Sequence, residues 1–223
     1  IQGSNRNFAQ SVRAAAGLSG ELGDGVWRYD IAFSGMQTNL ERTTEGALYF
    51  PNLMAAIRQG TYNFVNPDLN TDAVRDFIAP TSVQRSDSKL VQIQANIARD
   101  LFELPGGVAQ AGISLAYRYE ALDNPSANSD RLGAANRYLS INPFGASGSR
   151  DVQSAAFEVD LPVLQSLDVN VSGRYDTYST GQSDFSPKIG VRFEPFEFLA
   201  FRGTYSEGFR IPSFAESFAD PST

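Results

Sequence analysis

Strict alternation of apolar and polar side chains is the feature of this sequence that most restricts its fold. Over residues 167–176 one set of alternate positions comprises Leu167, Val169, Val171, Gly173 and Tyr175, and the other comprises Asp168, Asn170, Ser172, Arg174 and Asp176. Successive side chains of a β-strand point to opposite faces of the sheet. The pattern therefore predicts a strand with one apolar and one polar face.

The same period of two recurs along the chain and indicates eight strands. They lie at about 10–21, 26–42, 87–102, 107–121, 150–162, 167–178, 184–194 and 198–207. Short turns at 23–25, 105–107, 163–166 and 194–197 alternate with connections that are mostly longer, such as 43–88 and 122–149. We therefore predict a single all-β domain over residues 1–223, an antiparallel up-and-down meander that forms part of a transmembrane β-barrel.

A soluble β-sandwich also alternates, and two features favour the barrel. The polar positions of the strands carry Arg and Asp, as a water-filled lumen requires, and aromatic residues collect near strand ends. Those aromatic residues are Tyr117, Tyr119, Tyr175, Tyr178, Phe193, Phe196 and Phe198. We expect them to form an interfacial girdle around the barrel.

Composition removes several classes of function. The chain has neither cysteine nor histidine, which excludes disulfides, thiolate nucleophiles and Ser-His-Asp catalysis. Its net charge of −7 argues against a protein that neutralises nucleic-acid phosphates. No pair of acidic residues is marked by its spacing as a glycosidase pair. We predict a chain that is not an enzyme and has no cofactor or nucleic-acid partner. We assign no metal-binding residues, and a cation site made by loop carboxylates stays open.

The first long loop, 43–88, contains two predicted short helices, at 52–59 and 71–79. Asn70 or Thr71 can cap the second helix and Pro80 ends it. In the second long loop, 122–149, the strand-like piece is 137–141. The sequence Asp68-Leu-Asn70-Thr-Asp72 begins like a calcium loop but lacks the later Gly and Glu, so helix capping and surface solvation are favoured.

Aromatic residues also cluster in the first long loop, at Tyr49, Phe50, Tyr62 and Phe64. Such residues could bind a ferric chelate or stack on a sugar ring, or they could form a small core of the loop itself. We treat these four as candidate ligand-binding residues.

Charged residues on the polar faces have two interpretations. They are Arg28, Asp30, Arg118, Glu120, Arg174, Asp176, Lys188, Arg192 and Arg202. They could guide a substrate or contact another domain inside a barrel, but pairing across neighbouring strands is the simpler expectation for each residue.

The most specific motif lies in residues 183–216, where SDFSPKIGVRF is followed by LAFRGTYSEGFRIPSFAE. This resembles the mid-barrel signature of TonB-dependent outer-membrane receptors. The matching positions are Pro187, Lys188, Gly190, Arg202, Tyr205, Ser206, Gly208, Phe209, Arg210, Pro212 and Glu216. The 208–212 turn could bind an anion through Arg210, but a shaped strand exit is the favoured interpretation, since Gly allows the bend and Pro ends strand pairing.

The resemblance implies a barrel of about 22 strands in the bacterial outer membrane, with its lumen plugged by an N-terminal domain. It also implies import of a scarce nutrient such as a siderophore, cobalamin, haem or a glycan. The partners would be outer-membrane lipid, the nutrient, and the inner-membrane TonB complex, which engages a TonB box ahead of the plug.

We find no plug-like region, TonB box or closing series of strands in the chain, and expect a barrel fragment that cannot transport alone. Its apolar face would have to be covered by lipid, detergent, another chain or self-association. Two alternatives remain open: a passive porin-like barrel without energy coupling, and a soluble β-sheet binding module.

Overall fold

A computed structural model describes residues 3–23, 26–128, 136–141 and 144–219 of the chain. The strands are β1 (Ser4–Leu22), β2 (Trp27–Glu45), β3 (Ser82–Leu104), β4 (Gly107–Asn124), β5 (Ala146–Leu164), β6 (Leu167–Tyr178), β7 (Ser183–Phe196) and β8 (Leu199–Ser206). The helices are α1 (Phe50–Gln59), α2 (Asp72–Ile78) and α3 (Phe214–Ser217), with a 3-10 turn at Pro67–Leu69.

The eight strands form one sheet in which each strand pairs antiparallel with its neighbours in sequence. Short turns join β1 to β2, β3 to β4, β5 to β6 and β7 to β8 at one end of the sheet, here called the short-turn end. The two long connections, from β2 to β3 and from β4 to β5, lie at the opposite, long-loop end, together with the short turn from β6 to β7. Gly23 supplies the positive φ, 64°, of the first turn, while Asp24 and Gly25 of that predicted turn lie outside the described residues. The predicted all-β antiparallel meander is confirmed.

Five strands are at least three residues longer at the long-loop end than the alternation indicated. β2 ends at Glu45 and β4 at Asn124, each after its predicted end. β1 begins at Ser4, β3 at Ser82 and β5 at Ala146, each before its predicted start. The reason is visible in β1, where Asn5, Arg6 and Asn7 are all polar, so that the two faces do not differ. Backbone pairing continues there nonetheless, with Ser4 opposite Glu45.

The predicted strand-like piece at 137–141 is wrong. Among the described residues of that piece, Tyr138 alone forms a bridge, and its partner is Tyr49. The backbone bonds that flank this bridge are those between Phe50 and Arg137 and between Leu139 and Leu48, and α1 begins at Phe50, so the partner segment offers a single bridge and not a strand.

Cross-strand register sorts the residues into two faces. One row of the apolar face runs Leu18, Ile31, Ala95, Leu115, Ala155, Tyr175 and Phe185 across seven strands. The adjacent row of the polar face runs Ser19, Asp30, Asn96, Ser114, Ala156, Arg174 and Ser186. Each row stays apolar or largely polar because antiparallel partners directly opposite one another share a face.

The apolar face has no covering layer in the described parts of the chain. Leu115 is 58% exposed and Ile93 is 47% exposed, although both lie in the middle of the sheet. A sandwich would bury these side chains against a second sheet. An apolar surface of this extent marks contact with a membrane or another protein, so the sandwich alternative is not observed.

The strands extend beyond the apolar face at the long-loop end. β3 has 23 residues and is therefore about 75 Å long, whereas roughly 9–11 residues are enough for a transmembrane strand. On the side of the sheet that is apolar at Val91 and Ile93, the positions nearer the loops carry Lys89, Asp87 and Arg85. The first strands thus continue as a polar hairpin extension past the apolar band.

Short helices in the first long loop are also confirmed. The hydroxyl of Thr71 accepts a hydrogen bond from the backbone N–H of Val74, which makes Thr71 the cap of α2. Buried Ala56, Ile78 and Ala79 form a small core between α1 and α2. No helix in the described ranges is long and apolar enough to cross a membrane.

Aromatic residues at the short-turn end lie as a girdle would. Phe196 and Phe198 stack with ring centroids 5.5 Å apart, and the Arg99 guanidinium lies 4.7 Å from the Trp27 ring. Tyr178 was predicted to belong to this girdle, and that prediction is wrong. It faces the polar side, where its ring lies 6.0 Å from that of Phe209, because it shares the parity of Asp176 along β6.

The turn between β3 and β4 generates a stability prediction. A Cβ on Gly106 would overlap the backbone oxygen of Leu164, and the Gly106 N–H donates to the Pro162 carbonyl oxygen at 3.2 Å. Because that obstacle is backbone, Gly106→Ala should lower the free energy of unfolding by about 1–3 kcal/mol. Urea unfolding in detergent micelles measures the change.

The matched control for this prediction is Gly112→Ala. The nearest atom to a Cβ at Gly112 is the Ala98 Cβ at 3.6 Å, an ordinary contact. This variant should change the free energy of unfolding by less than about 0.5 kcal/mol. Equal effects at Gly106 and Gly112 would contradict the predicted role of the close approach.

Candidate functional site

Most of the predicted charges on the polar face form ion pairs. Arg28 contacts Asp100 on β3 at 2.9 Å, and Arg192 contacts Asp168 on β6 at 3.4 Å, so these pairs cross neighbouring strands as expected. Two further pairs lie along single strands: Arg118 with Glu120 at 2.8 Å, and Arg174 with Asp176 at 2.9 Å. Because opposite charges are adjacent in these four pairs, the polar face is hydrophilic but has little net charge where they lie.

Three of the predicted charges are not in such pairs. Asp30 accepts a hydrogen bond from the amide of Asn96 at 3.2 Å. Lys188 and Arg202 have no ion pair among the residues that the structure describes. Arg202 lies on β8, which is the last strand of the described sheet and has one unpaired edge. Within the described ranges, these two predicted cations are therefore the ones available to a ligand or a further domain.

A shallow hollow of about 470 Å³ lies on the polar face near its middle. Small side chains line it: Ala98, Gly112, Ser114, Ala156, Ser172 and Ser186. Larger polar groups rim it, including Glu158, Arg174 and Lys188. The hollow could accept an inserted side chain that carries a polar or charged group.

Tyr49 and Phe50 tie the first long loop to the second. The Tyr49 ring lies 5.0 Å from the ring of Tyr138, and its backbone N–H donates to the Ile78 carbonyl oxygen at 2.9 Å. The Phe50 N–H donates to the Arg137 carbonyl oxygen at 2.9 Å. These two predicted site residues hold the loops together at the long-loop end.

Tyr62 and Phe64 form the other aromatic pair, with ring centroids 4.6 Å apart. Tyr62 packs against the small core of Ala56 and Ile78, while Phe64 is 54% exposed. Of the four predicted aromatics, the structure thus pairs Tyr62 with Phe64, whereas the Tyr49 ring lies against Tyr138 and Phe50 bonds to Arg137 through its backbone. Of the four, Phe64 presents the most open ring.

The calcium-like sequence in this loop is used to shape the loop. The Asn70 side-chain oxygen accepts from the Asn63 N–H at 2.7 Å, and its amide donates to the carbonyl oxygens of Asn63 and Pro67. Asp72 lies 3.6 Å from Arg75, one helical turn along α2. Among the described residues no group of three or more acidic side chains is arranged to hold a metal.

Family-signature residues lie on β7, on β8 and beyond β8, where they are Gly208, Phe209, Arg210, Pro212 and Glu216. The Arg210 guanidinium binds both carboxylate oxygens of Glu216, at 2.8 and 2.7 Å. Glu216 also accepts from the backbone N–H of Ser213, whose side chain completes a capping box for α3. The bonds from Arg210, and after them those from Ser213, lower the pKa of Glu216 from its ordinary 4.5 to about 2. Arg210 is thus paired within its own loop.

Arg150 is a structural residue of this region that sequence reasoning missed. It lies on the polar face of β5 and pairs with Glu120 on β4 at 2.6 Å. It also donates to the backbone oxygen of Pro212 at 3.0 Å. The alternation along β5 places Arg150 on the polar face, but nothing in the sequence indicates that it contacts a residue beyond β8.

Together these features define the wall of a transmembrane β-barrel: one meandering sheet, an apolar outer face, a charged inner face, and structured loops at one end. A family model described as "TonB dependent receptor-like, beta-barrel" matches residues 2–223. The chain therefore belongs to the TonB-dependent receptor β-barrel family. No curated protein sequence matches it.

Family membership places the chain in an outer-membrane transporter barrel, and the family is one of transporters and receptors rather than enzymes. The bacterial outer membrane is the general location of the family. The polar face then lines the lumen, and the apolar face meets lipid.

The Arg210–Glu216 pair generates a pH prediction. Because the pKa of Glu216 is lower in the folded loop than in an unfolded chain, its contribution to loop stability is fully present above about pH 4.5. That contribution is lost as the pH falls toward 2. In Arg210→Gln the Glu216 pKa should rise toward 4.5, which carboxyl-carbon NMR titration would detect.

Glu216→Gln is the matched variant for that titration. It removes the ionisable group, so ordering of 213–217 should no longer change between pH 4.5 and 2. A Glu216 pKa that stays near 2 in Arg210→Gln would show that Arg210 is not its cause.

Proposed function

We propose that this chain is one part of a larger closed barrel that imports a scarce nutrient of the siderophore, cobalamin or glycan type. The observation that carries the proposal is a single eight-stranded sheet with opposite faces and two unpaired edges, β1 and β8, within the described residues. In a membrane every backbone polar group must be paired, so an open sheet needs further strands to close it. Eight strands are roughly a third of a 22-stranded barrel.

The polar face supports a lumen that contacts something other than water. Lys188 and Arg202 lack ion pairs among the described residues, and Lys188 also rims the hollow lined with small side chains. A plug domain inside the barrel, or a substrate passing through it, would be complementary to such a surface. The TonB complex would supply energy through that plug, as the family implies.

The structured loops support capture of the nutrient at the long-loop end. The first long loop has its own core and is tied to residues 136–141, so it can present side chains in fixed positions. Preorganised loops lower the entropic cost of binding a ligand. We place ligand contact at the aromatic pair Tyr62 and Phe64, with Tyr49 and Phe50 in a supporting position.

Uptake by cells tests the proposal. Cells that express the protein in the outer membrane would be offered radiolabelled ferric siderophores, cobalamin and oligosaccharides separately. Accumulation of one class above that of non-expressing cells is expected, and it should disappear with a protonophore or in a TonB-deficient strain. Accumulation that persists under both conditions would indicate a passive barrel, and accumulation of no class would contradict import.

Phe64 provides the residue-level prediction. Replacing Phe64 by Ala removes an exposed ring whose stacking is worth about 0.5–1.5 kcal/mol, so affinity for the accumulated probe should fall about twofold to tenfold. Its neighbour Val65, 97% exposed, is the control, and Val65→Ala should leave affinity unchanged. Equal affinities of Phe64→Ala and the unaltered protein would remove this residue from the proposed site.

A further inference from the structure

The chain after β8 turns back across the polar face of the sheet. This segment, residues 207–219, is called the inner strap. Its first residue, Glu207, donates its backbone N–H to the Pro187 carbonyl oxygen at 3.0 Å. Its far end pairs with the start of β5, where Ala219 bridges Ala146 and the Ser147 N–H donates to the Phe218 carbonyl oxygen at 3.2 Å. The strap is thus attached at both ends.

A glycine on β5 makes room for the strap. A Cβ built on Gly148 would overlap Cδ1 of the Phe218 ring. Phe218 also packs against Phe214, with ring centroids 5.2 Å apart. The ring of Phe218 therefore lies directly on the backbone of the sheet.

Arg150 joins the sheet to the strap through several contacts at once. Its guanidinium carbon lies 4.6 Å from the centroid of the Phe214 ring and 5.9 Å from that of Tyr178. The same group binds Glu120 and the Pro212 carbonyl oxygen, and the side chain is only 11% exposed. A guanidinium can make these contacts together because it is planar and has five N–H donors.

Burial on the polar face coincides with the strap. Val152 follows Arg150 on the same face of β5 and lies between Arg118 and Tyr178 in the cross-strand register. It is 1% exposed, whereas Arg174, farther from the long-loop end on this face, is exposed. Because an apolar side chain gains stability when it is removed from water, the burial of Val152 beneath its neighbours is favourable.

From this geometry we propose that Arg150 is a positioning residue that seats the inner strap over β5 and β6 and so narrows the lumen at the long-loop end. The inference rests on the proposed function only in treating the polar face as the wall of a transport path. A ligand entering from the long-loop end would pass the strap before reaching the hollow near Lys188.

Lysine cannot replace Arg150 in this role. It keeps the positive charge beside Glu120 but has no planar fork to reach the Pro212 oxygen while lying against two rings. Arg150→Lys should therefore release the strap while leaving the charge of the lumen unchanged. Gly148→Ala should also release the strap, because its added Cβ would displace the Phe218 ring.

Cysteine labelling tests the proposal in the protein as expressed in outer membranes, since the chain has no cysteine of its own. Val152→Cys is nearly isosteric and would carry the only thiol of the chain. It should react slowly with a membrane-impermeant maleimide, and at least about fivefold faster once Arg150→Lys is added. Gly148→Ala, added instead, gives the rate for a strap displaced directly. An unchanged rate with Arg150→Lys would overturn the proposal.

Disulfide formation gives a second readout of strap position. Ala146→Cys with Ala219→Cys joins partners of the observed bridge, and Arg150→Lys should slow its oxidation several-fold. The control pair is Ser11→Cys with Thr38→Cys, opposite each other on β1 and β2, whose oxidation should not change and which reports intact folding. Arg28→Lys, at a lumen ion pair near the short-turn end, should leave the 146–219 rate unaltered.

Both readouts are independent of transport, so the two proposals can fail separately. If the unaltered protein accumulates no nutrient while Arg150→Lys speeds labelling at position 152, the proposed function is contradicted and the role of Arg150 stands. If uptake depends on energy while Arg150→Lys changes neither the labelling rate nor the 146–219 oxidation rate, the role of Arg150 is overturned and the proposed function stands.

Discussion

Backbone hydrogen bonding between neighbouring strands sets the register on which the two faces of this sheet depend. Ile31, Ala95 and Leu115 are opposite one another in the ladder, and so are Asp30, Asn96 and Ser114 one position along. A slip of one residue in any pair would move charged side chains toward hydrocarbon. A charge on the lipid face costs about 2–4 kcal/mol at the middle of the bilayer, so the register of the whole meander is strongly specified.

Alternation predicted the sheet wherever the two faces differ, and failed where they do not. In β6 apolar and polar side chains alternate, and there the predicted strand, 167–178, has the same bounds as the observed one. The start of β3 at Ser82 was missed because its first residues lie in the polar extension, where both faces meet water. At 137–141 the opposite error occurred, since a local pattern cannot show that the first long loop offers a single bridge there, at Tyr49.

The sequence predicted which face of the sheet each charged residue lies on, but not which residue it pairs with. Parity along each strand placed Arg28 and Arg192 on the polar face, but their partners follow from register and not from spacing. The sequence could not show that Phe64 is more exposed than Tyr62, because Tyr62 packs on a core that forms only when α1 and α2 meet. Arg150 and Pro212 are 62 residues apart, a separation that only the return of the strap across the sheet brings together.

The family signature in this chain is explained by loop shape. Arg210 is neutralised by Glu216, Ser213 caps α3, and Pro212 offers its carbonyl oxygen to Arg150, so these polar groups are already engaged within the protein. A group that already has a partner gains less by binding a ligand where it must first give up that partner. Under the proposed function, we expect the choice of nutrient to depend mainly on residues outside these groups. The exposed Phe64, and Lys188 with no ion pair in the described part of the chain, have the freedom to make new contacts.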